Sequence, residues 1–193
     1  MKLTLIAITI AVVAGLLAGG GLTNLATARI RWSILALVGL ALQLLPVPGH
    51  GLPLGLLFLS FGILLVFALA NLRLPGFALI LLGLAMNFSV IAANGGMPVT
   101  RSALTASGQQ DTLELLVHDG GAKHHLANQS DVLLPLADVI PLSGIHQAVS
   151  PGDVATYAGV MWLIVWCLRR RGVSPEPLTR RSPVEPEGAR VGG

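Results

Sequence analysis

The sequence predicts an all-α membrane protein with five transmembrane helices and one long extracytoplasmic segment between the fourth and fifth helices. Of its 193 residues, 53% are hydrophobic and only 11% are charged, whereas about a quarter of the residues in a typical soluble domain are charged. The polar residues also gather in one stretch, residues 94–153, while the rest of the chain consists mainly of apolar runs. Lipid is therefore the expected solvent, and the bilayer the first expected partner.

Charge and cysteine content narrow the function classes. The isoelectric point of about 9.8 suggests nucleic-acid binding. However, the basic residues flank the apolar runs instead of gathering on one face, so we expect no nucleic-acid partner. The single cysteine, Cys167, excludes an intrachain disulfide and a cysteine-based zinc site. It lies within an apolar run, where a thiol acts as a small apolar filler.

The first apolar run, residues 3–22, is predicted to be a transmembrane helix. At ~1.5 Å per residue it is long enough to cross a hydrocarbon core of ~30 Å. We interpret it as a retained span, because no clear small-residue cleavage site precedes a polar mature chain. Gly15 and Gly19 form a GxxxG pair, which lets a second helix approach closely; ordinary glycine usage in membrane helices is the alternative.

The second and third spans are predicted at residues 32–47 and 53–70. The second ends in Pro46-Val47-Pro48-Gly49, which cannot continue a helix, and the next residue, His50, is expected in a solvated turn. Pro53 suits the first turn of the third helix, where its missing N–H costs nothing.

The fourth and fifth spans are predicted at residues 77–93 and 154–168. Asn87 is the only strongly polar residue within the fourth, and we expect it to form a hydrogen bond between helices instead of a ligand contact. The fifth run is short for a span, and it ends at Arg169-Arg170-Arg171, whose side chains can extend to the interface. Two tryptophans near these arginines also suit the interface.

The distribution of basic residues predicts the orientation. One side of the five spans holds Arg29, Arg31, Arg73, Arg169, Arg170 and Arg171, and the other holds Lys2, Arg101 and Lys123. Because basic residues favour the cytoplasmic side, the N-terminus is expected outside and the C-terminus in the cytoplasm. The integral-membrane domain would then comprise residues 1–171, with 94–153 facing outward. Residues 172–193, rich in Pro, Glu, Arg and Gly, are expected to form a disordered cytoplasmic tail.

The outward segment opens with a predicted turn. Asn94, Gly95 and Gly96 tolerate positive φ and can close the fourth helix. Met97-Pro98-Val99 should then leave in an extended conformation, because a residue before proline avoids the helical region. Besides this helix cap, the turn allows a second interpretation, a nest of free N–H groups that holds an anion or a lipid headgroup.

Three further patterns organise this segment. Asp111-Thr112-Leu113-Glu114 resembles a capping box and predicts a short helix on the membrane surface. Residues 133–145 are apolar but interrupted by prolines, which favours a re-entrant or interfacial stretch. Asp138 within it needs a partner, and the candidates are Lys123 and the histidines. Ser150-Pro151-Gly152-Asp153 predicts the N-terminal cap of the last helix.

Four histidines in the outward segment are the candidate chemical groups: His118, His124, His125 and His146. Their spacing with the nearby aspartates Asp119, Asp131 and Asp138 matches no compact metal motif, so we expect no metal and no cofactor. Solvated or hydrogen-bonded histidines remain one interpretation, and headgroup or proton contacts another. The candidate catalytic residues are His124, His125, Asp138 and His146. The candidate ligand-binding residues are Asn94, Gly95, Gly96 and Lys123.

Taken together, four motifs resemble a family of small bacterial integral-membrane proteins catalogued as a domain of unknown function. They are Asn94-Gly95-Gly96-Met97-Pro98-Val99, Lys123-His124-His125, Leu136-Ala137-Asp138-Val139-Ile140 and Ser150-Pro151-Gly152-Asp153. The resemblance covers about residues 1–170 and implies a bacterial plasma-membrane protein with these motifs facing outward. It implies no activity.

Three function classes follow. The first is a membrane-embedded accessory or binding protein whose outward segment docks a lipid, a membrane-protein partner or a second copy of the chain. The second is a membrane-surface enzyme. In this class His124, His125, Asp138 and His146 would converge and act as acid, base or metal ligands. A small transporter is the third, and the scarcity of charge within the spans argues against it.

Overall fold

The computed structural model describes residues 2–26, 28–45, 51–118, 121 and 123–170. Within these ranges the chain is mostly helical, with four short strands that the all-α prediction did not include. The α-helices are α1 (Lys2–Leu17), α2 (Leu22–Ala26), α3 (Ser33–Leu44), α4 (Gly51–Ala70), α5 (Phe77–Asn94), α6 (Arg101–Ser107), α7 (Gln110–His118) and α8 (Pro151–Arg169). The strands are β1 (Met97–Val99), β2 (His124–Leu126), β3 (Ile140–Leu142) and β4 (Gln147–Val149).

Three of these helices, α4, α5 and α8, are long and apolar enough to cross a membrane. They correspond to the third, fourth and fifth predicted spans, and the predicted first-turn position of Pro53 is confirmed by the start of α4 at Gly51. The other two apolar helices are shorter, with 16 residues in α1 and 12 in α3.

The ends of α1 and α3 differ from the predicted spans 3–22 and 32–47. The first helix stops at Leu17 because Gly19 adopts φ 81°, a left-handed conformation that reverses the chain before α2. The third helix ends at Leu44, where Leu45 becomes extended. The predicted turn at 46–49, His50 and the predicted tail 172–193 lie outside the described residues.

The bundle is organised by a close contact between α5 and α8. A Cβ atom placed at Gly83 would overlap the backbone oxygen of Gly152, and one at Gly159 would overlap the backbone oxygen of Gly76. These paired glycines, spaced seven residues apart on each side, let the two backbones touch. Large apolar side chains of α4 and α5 complete the core around this contact: Leu57, Phe61, Leu64, Phe77, Ile80, Leu84, Val90 and Ile91.

A hydrogen-bond network closes the end of the same contact. Asn87 donates through Nδ2 to Asp153 Oδ1 at 2.7 Å, and its Oδ1 accepts from Ser150 Oγ at 2.8 Å. Ser150 and Asp153 also form the reciprocal capping box of α8, with Pro151 in its first turn. Both predictions, a helix-to-helix hydrogen bond at Asn87 and a cap at Ser150, are confirmed.

The remaining long helices attach in two pairs. α1 runs parallel to α8, with Gly15 against Leu168 at one end and Thr4 Oγ1 2.9 Å from the Tyr157 hydroxyl at the other. α3 runs antiparallel to α4, where the hydroxyl of Ser60 donates to the Gly39 carbonyl at 2.7 Å. Of the predicted GxxxG pair, Gly15 lies in a close helix contact, whereas Gly19 forms the turn after α1.

Residues 97–118, 121 and 123–149 form a cap over one end of the bundle, built on the central strand β1. β1 pairs in parallel with β2, with Met97 opposite His124 and Val99 opposite Leu126. On its other edge β1 forms a parallel bridge with Asp138. The predicted extended exit at 97–99 and the helix near residue 111 are confirmed as β1 and α7. The predicted capping box at Asp111 is wrong, because α7 begins at Gln110 and Asp111 lies within its first turn. α6 and the strand pairings had no clear pattern in the sequence.

The glycine contact predicts that a single methyl group at Gly83 destabilises the protein. Gly83→Ala should lower the free energy of unfolding by about 1–3 kcal/mol, because the added Cβ overlaps the backbone of α8. The matched control is Gly62→Ala in α4, where the added Cβ has open space and alanine favours the helix. Heating in detergent with a thiol-reactive dye reports unfolding, since Cys167 is only 2% exposed in the folded protein. Equal midpoints for the two variants would contradict the packing argument.

Candidate functional site

Two adjoining cavities lie where the cap meets the bundle, and three residues, Lys123, His124 and Asp138, line both of them. The outer cavity, about 340 Å³, lies within the cap; its other lining residues include Val99, Leu104, Gln109, Thr112, Leu115, Leu116, Gln147 and Ala148. The inner cavity, about 210 Å³, reaches into the bundle; its other lining residues are Gln43, Leu57, Phe61, Asn87, Ile91, Met97 and Asp153. We call the three shared residues the central triad.

Lys123 connects the cap to the bundle. Its Nζ donates to the backbone oxygen of Gln43 at 2.6 Å, in the last turn of α3. A helix C-terminus carries a partial negative charge, so an ammonium group is favourable there. Its own carbonyl accepts from Met97 N at 2.9 Å, which fixes the start of β2 against β1. One ammonium proton is thus engaged in a hydrogen bond, and the side chain lines both cavities.

His124 and Asp138 face each other across β1. Nε2 of His124 lies 3.8 Å from Oδ2 of Asp138, which is too long for a direct hydrogen bond. The backbone holds Asp138 in place, since its N–H donates to the Pro98 carbonyl at 3.1 Å and its carbonyl accepts from Thr100 N at 3.2 Å. Of the partners expected for Asp138, a histidine is therefore the one that lies nearest to its carboxyl group.

The carboxyl group of Asp138 has no hydrogen-bond partner among the described residues, and its oxygens are not fully buried. The residue is 7% exposed, and that exposure is to the two cavities that it lines. Burial, and then the negative charge of Asp153, raise the pKa of Asp138 to about 8. At neutral pH the group is therefore mostly a neutral acid, with one O–H donor directed at a cavity.

The imidazole of His124 is neutral for a similar reason. Burial by the surrounding protein lowers the pKa of His124. The negative charge of Asp153 raises this pKa, and the positive charge of Lys123 lowers it further. Its side chain is nevertheless 54% exposed, because it borders both cavities. The central triad therefore presents one ammonium group, one neutral imidazole and one protonated carboxyl group.

His125 points away from this site and stabilises a loop of the cap. Its Nε2 lies 3.0 Å from Asp131 Oδ1, and the other carboxylate oxygen accepts from Asn128 N at 2.8 Å. Burial alone raises the pKa of Asp131, but the hydrogen bonds from Asn128 and His125 outweigh it, so the pKa lies below its ordinary value. This pair is a structural contact within the cap.

The other predicted site residues lie elsewhere as well. His146 is exposed, adopts φ 51° and places Nδ1 3.1 Å from the Ser107 carbonyl. The side chain of Asn94 holds both backbone groups of Val132. The N–H groups of Gly95 and Gly96 both donate to the Ile91 carbonyl, as in a helix cap, so they are engaged within the chain.

The structure also identifies site residues that the sequence pattern did not indicate. Gln43, Gln109 and Asp153 line the cavities, and Asn87 joins them through its bond to Asp153. Their polarity within apolar or capping segments was the available signal, but it did not show that they converge. In the described part of the chain, no group of three or more His, Cys, Asp or Glu side chains is placed to hold a metal ion. Asp119 lies outside that part.

Comparisons with known proteins place these residues in a family. Residues 27–165 match the model described as "Family of unknown function (DUF5317)". A Thermotoga maritima protein described as an uncharacterized protein is 31% identical over 150 residues, which cover 76% of this chain and 81% of the relative. No solved structure matches the chain. The family match, residues 27–165, includes the central triad and both ends of the cap.

The two aspartates of the cap predict opposite pH dependences of stability. The folded-state pKa of Asp138 is raised, so the stability that its protonated form contributes is present below pH ~4 and is lost as the pH rises towards 8. Asp138→Asn should therefore be more stable than the unmodified protein at pH 8 and similar to it at pH 4. The thermal midpoint in detergent, followed by tryptophan emission between pH 4 and 8, measures this difference.

Asp131→Asn serves as the matched control. The lowered pKa of Asp131 contributes stability above its unfolded value, which is lost as the pH falls through the folded value. This variant should be less stable than the unmodified protein at pH 8, with the difference shrinking in acid. If both substitutions shift the midpoint in the same direction at pH 8, the assignment of a neutral Asp138 is wrong.

Proposed function

The chain belongs to the DUF5317 family of unknown function, and on that basis we propose that it is a multi-pass membrane protein that binds a ligand at its central triad. The observation that carries this proposal is the buried carboxyl group of Asp138, which faces both cavities and has no hydrogen-bond partner among the described residues. No fully buried side-chain nitrogen or oxygen of the described residues lacks a partner, so these carboxyl oxygens are open to the cavities. A ligand in the cavities could therefore bond to them in place of water.

The chemistry of the central triad indicates what the ligand presents. Lys123 has unused ammonium protons, neutral Asp138 carries an O–H, and neutral His124 carries one ring N–H. The site is therefore rich in donors. The positive charge of Lys123 borders both cavities, and the negative charge of Asp153 borders the inner one. Asp153 is the remaining acid on the inner cavity, and its oxygens already accept from Asn87 and from the Ser150 backbone. An acceptor-rich anionic group, such as a phosphate, fits this set best.

The membrane arrangement proposed with this function has five spans, with the N-terminus and the cap outside the plasma membrane and the C-terminus in the cytoplasm. Contacts at the helix ends support it. Arg31 N donates to the side chain of Asn71 after α4, and Gly21 N donates to Leu168 O near the end of α8. These contacts place several arginine-bearing ends near each other on one side of the bundle, and basic residues favour the cytoplasmic side. Local bilayer thinning and tilted neighbours accommodate the shorter α1 and α3.

A second candidate function is a membrane-surface enzyme acting on the same ligand. The separation of 3.8 Å between His124 and Asp138 favours it, because both groups face one space and carry pKa values moved from their ordinary values by burial. A ligand beside them, within hydrogen-bond distance of both, would exchange a proton with either group. Conversion of a bound ligand to product would distinguish this function from binding alone.

The binding proposal predicts that Lys123→Met weakens phosphate binding. The probe is glycerol phosphate, titrated calorimetrically into the detergent-purified full chain. A charge-assisted hydrogen bond contributes about 1.5–3 kcal/mol, so the affinity should fall at least tenfold. Arg101→Gln is the control, because Arg101 is an exposed cation of the cap that does not line either cavity. Equal weakening by both variants would reduce the effect to net charge, and absence of binding to the unmodified protein would refute the proposal.

The topology is tested by reporter fusions. A periplasmic reporter inserted in the exposed loop at Gln129 should be active, and the same reporter fused after Gly193 should be inactive, with a cytoplasmic reporter giving the reverse result. Activity of the cytoplasmic reporter at Gln129 would place the cap inside the cell and overturn the orientation.

A further inference from the structure

The inner cavity continues into an apolar groove within the bundle. A third cavity of about 320 Å³ shares four lining residues with the inner one: Gln43, Phe61, Asn87 and Asp153. A fourth, of about 410 Å³, shares Thr4, Leu40, Gln43 and Tyr157 with the third. We call the third and fourth cavities together the lateral groove. The lateral groove therefore adjoins the polar site at the central triad through these shared residues.

The lateral groove opens between α1 and α3. These helices are attached to different partners, α1 to α8 and α3 to α4, and side chains from both line the groove. On its rim, Leu5 is 67% exposed and Leu44 is 66% exposed. Such side chains are expected to face hydrocarbon in a membrane protein, which favours an opening of the groove towards the bilayer.

We propose that the site is entered from the bilayer, and that its ligand is a phosphate amphiphile. The phosphate lies at Lys123 and Asp138, and one hydrocarbon chain lies in the lateral groove between α1 and α3. This inference rests on the proposed binding function and adds the ligand class and the entry route to it. It assigns Leu40 and Tyr157 to the chain and the central triad to the headgroup.

Two observations favour this occupant over others. A protein helix is about 10 Å wide, and the inner end of the groove narrows to a cavity of about 210 Å³, which does not admit one. A purely apolar chain would leave Lys123 and the buried carboxyl group of Asp138 without new partners. A molecule with a charged acceptor group at one end and an apolar chain behind it satisfies both parts of the space.

The test compares phosphates that differ only in chain length. Inorganic phosphate, butyl phosphate and dodecyl phosphate are measured by equilibrium binding to the full chain held in amphipol, with dodecyl maltoside as a neutral headgroup of equal chain length. Each methylene group buried in the groove should strengthen binding about fourfold until the groove is filled. Dodecyl phosphate should therefore bind at least about 100-fold more tightly than butyl phosphate, and dodecyl maltoside should not displace it.

Two substitutions in α3 distinguish binding in the lateral groove from general partitioning of dodecyl phosphate into the amphipol. Leu40→Trp fills the groove and should weaken dodecyl phosphate at least tenfold while leaving inorganic phosphate unchanged. Leu37→Trp is the matched control, because Leu37 is 65% exposed and does not line the groove. Retained binding of inorganic phosphate shows that Leu40→Trp is folded, and Lys123→Met should weaken every phosphate.

The outcomes distinguish this inference from the function on which it rests. Equal affinity for all three phosphates, or equal effects of the two tryptophan variants, would overturn the amphiphile and leave a phosphate-binding site. Tight binding of dodecyl maltoside would show that the site is a nonspecific detergent site that does not select a phosphate headgroup. Absence of binding for every phosphate would remove both the inference and the proposed function.

Discussion

Backbone meets backbone where α5 crosses α8, and this contact determines where the other parts of the molecule lie. With glycine on both helices there is room for Asn87 to reach Ser150 and Asp153, which begin α8. The start of α8 in turn fixes the end of the cap, and Asp153 contributes charge to the inner cavity. A bulkier residue in this contact would therefore alter helix packing, the cap and the electrostatics of the site together.

The site combines burial with incomplete pairing. Backbone hydrogen bonds hold Asp138 on the edge of β1, and this fixes the point from which its side chain extends. Burial disfavours the charged forms, so it keeps the carboxyl group of Asp138 protonated and the neighbouring imidazole of His124 neutral. Lys123 remains as the charged group, and it is anchored to the end of α3. Such fixed polarity beside a cavity is typical of ligand sites.

Much of the bundle was predictable because apolar runs, caps and helix-breaking residues act locally. The start of α4, the extended exit at Met97 and the cap at Ser150 each depend on a few neighbouring residues, and all three were predicted correctly. The predicted end of the first span was wrong because Gly19, one glycine in a continuous apolar run, gives no local sign of its positive φ. Within the site, pairing of β1 with β2 and with Asp138 is nonlocal, and this pairing brings His124 and Asp138 together beside the cavities. His146 contacts the Ser107 carbonyl instead, another nonlocal contact.

The residues around the inner cavity are far apart in the sequence, so the ribosome adds them to the chain at different times. Gln43 and Asn87 are synthesised early, Lys123 and Asp138 later, and Asp153 begins the last helix. Until α8 has been made, Asn87 has no Ser150 or Asp153 to bond, and α1 has no α8 to lie against. Since chains fold from the N-terminus during synthesis, truncation before residue 150 would leave the amide of Asn87 without these partners. The polar contacts of α5 are thus completed only when α8 has been made.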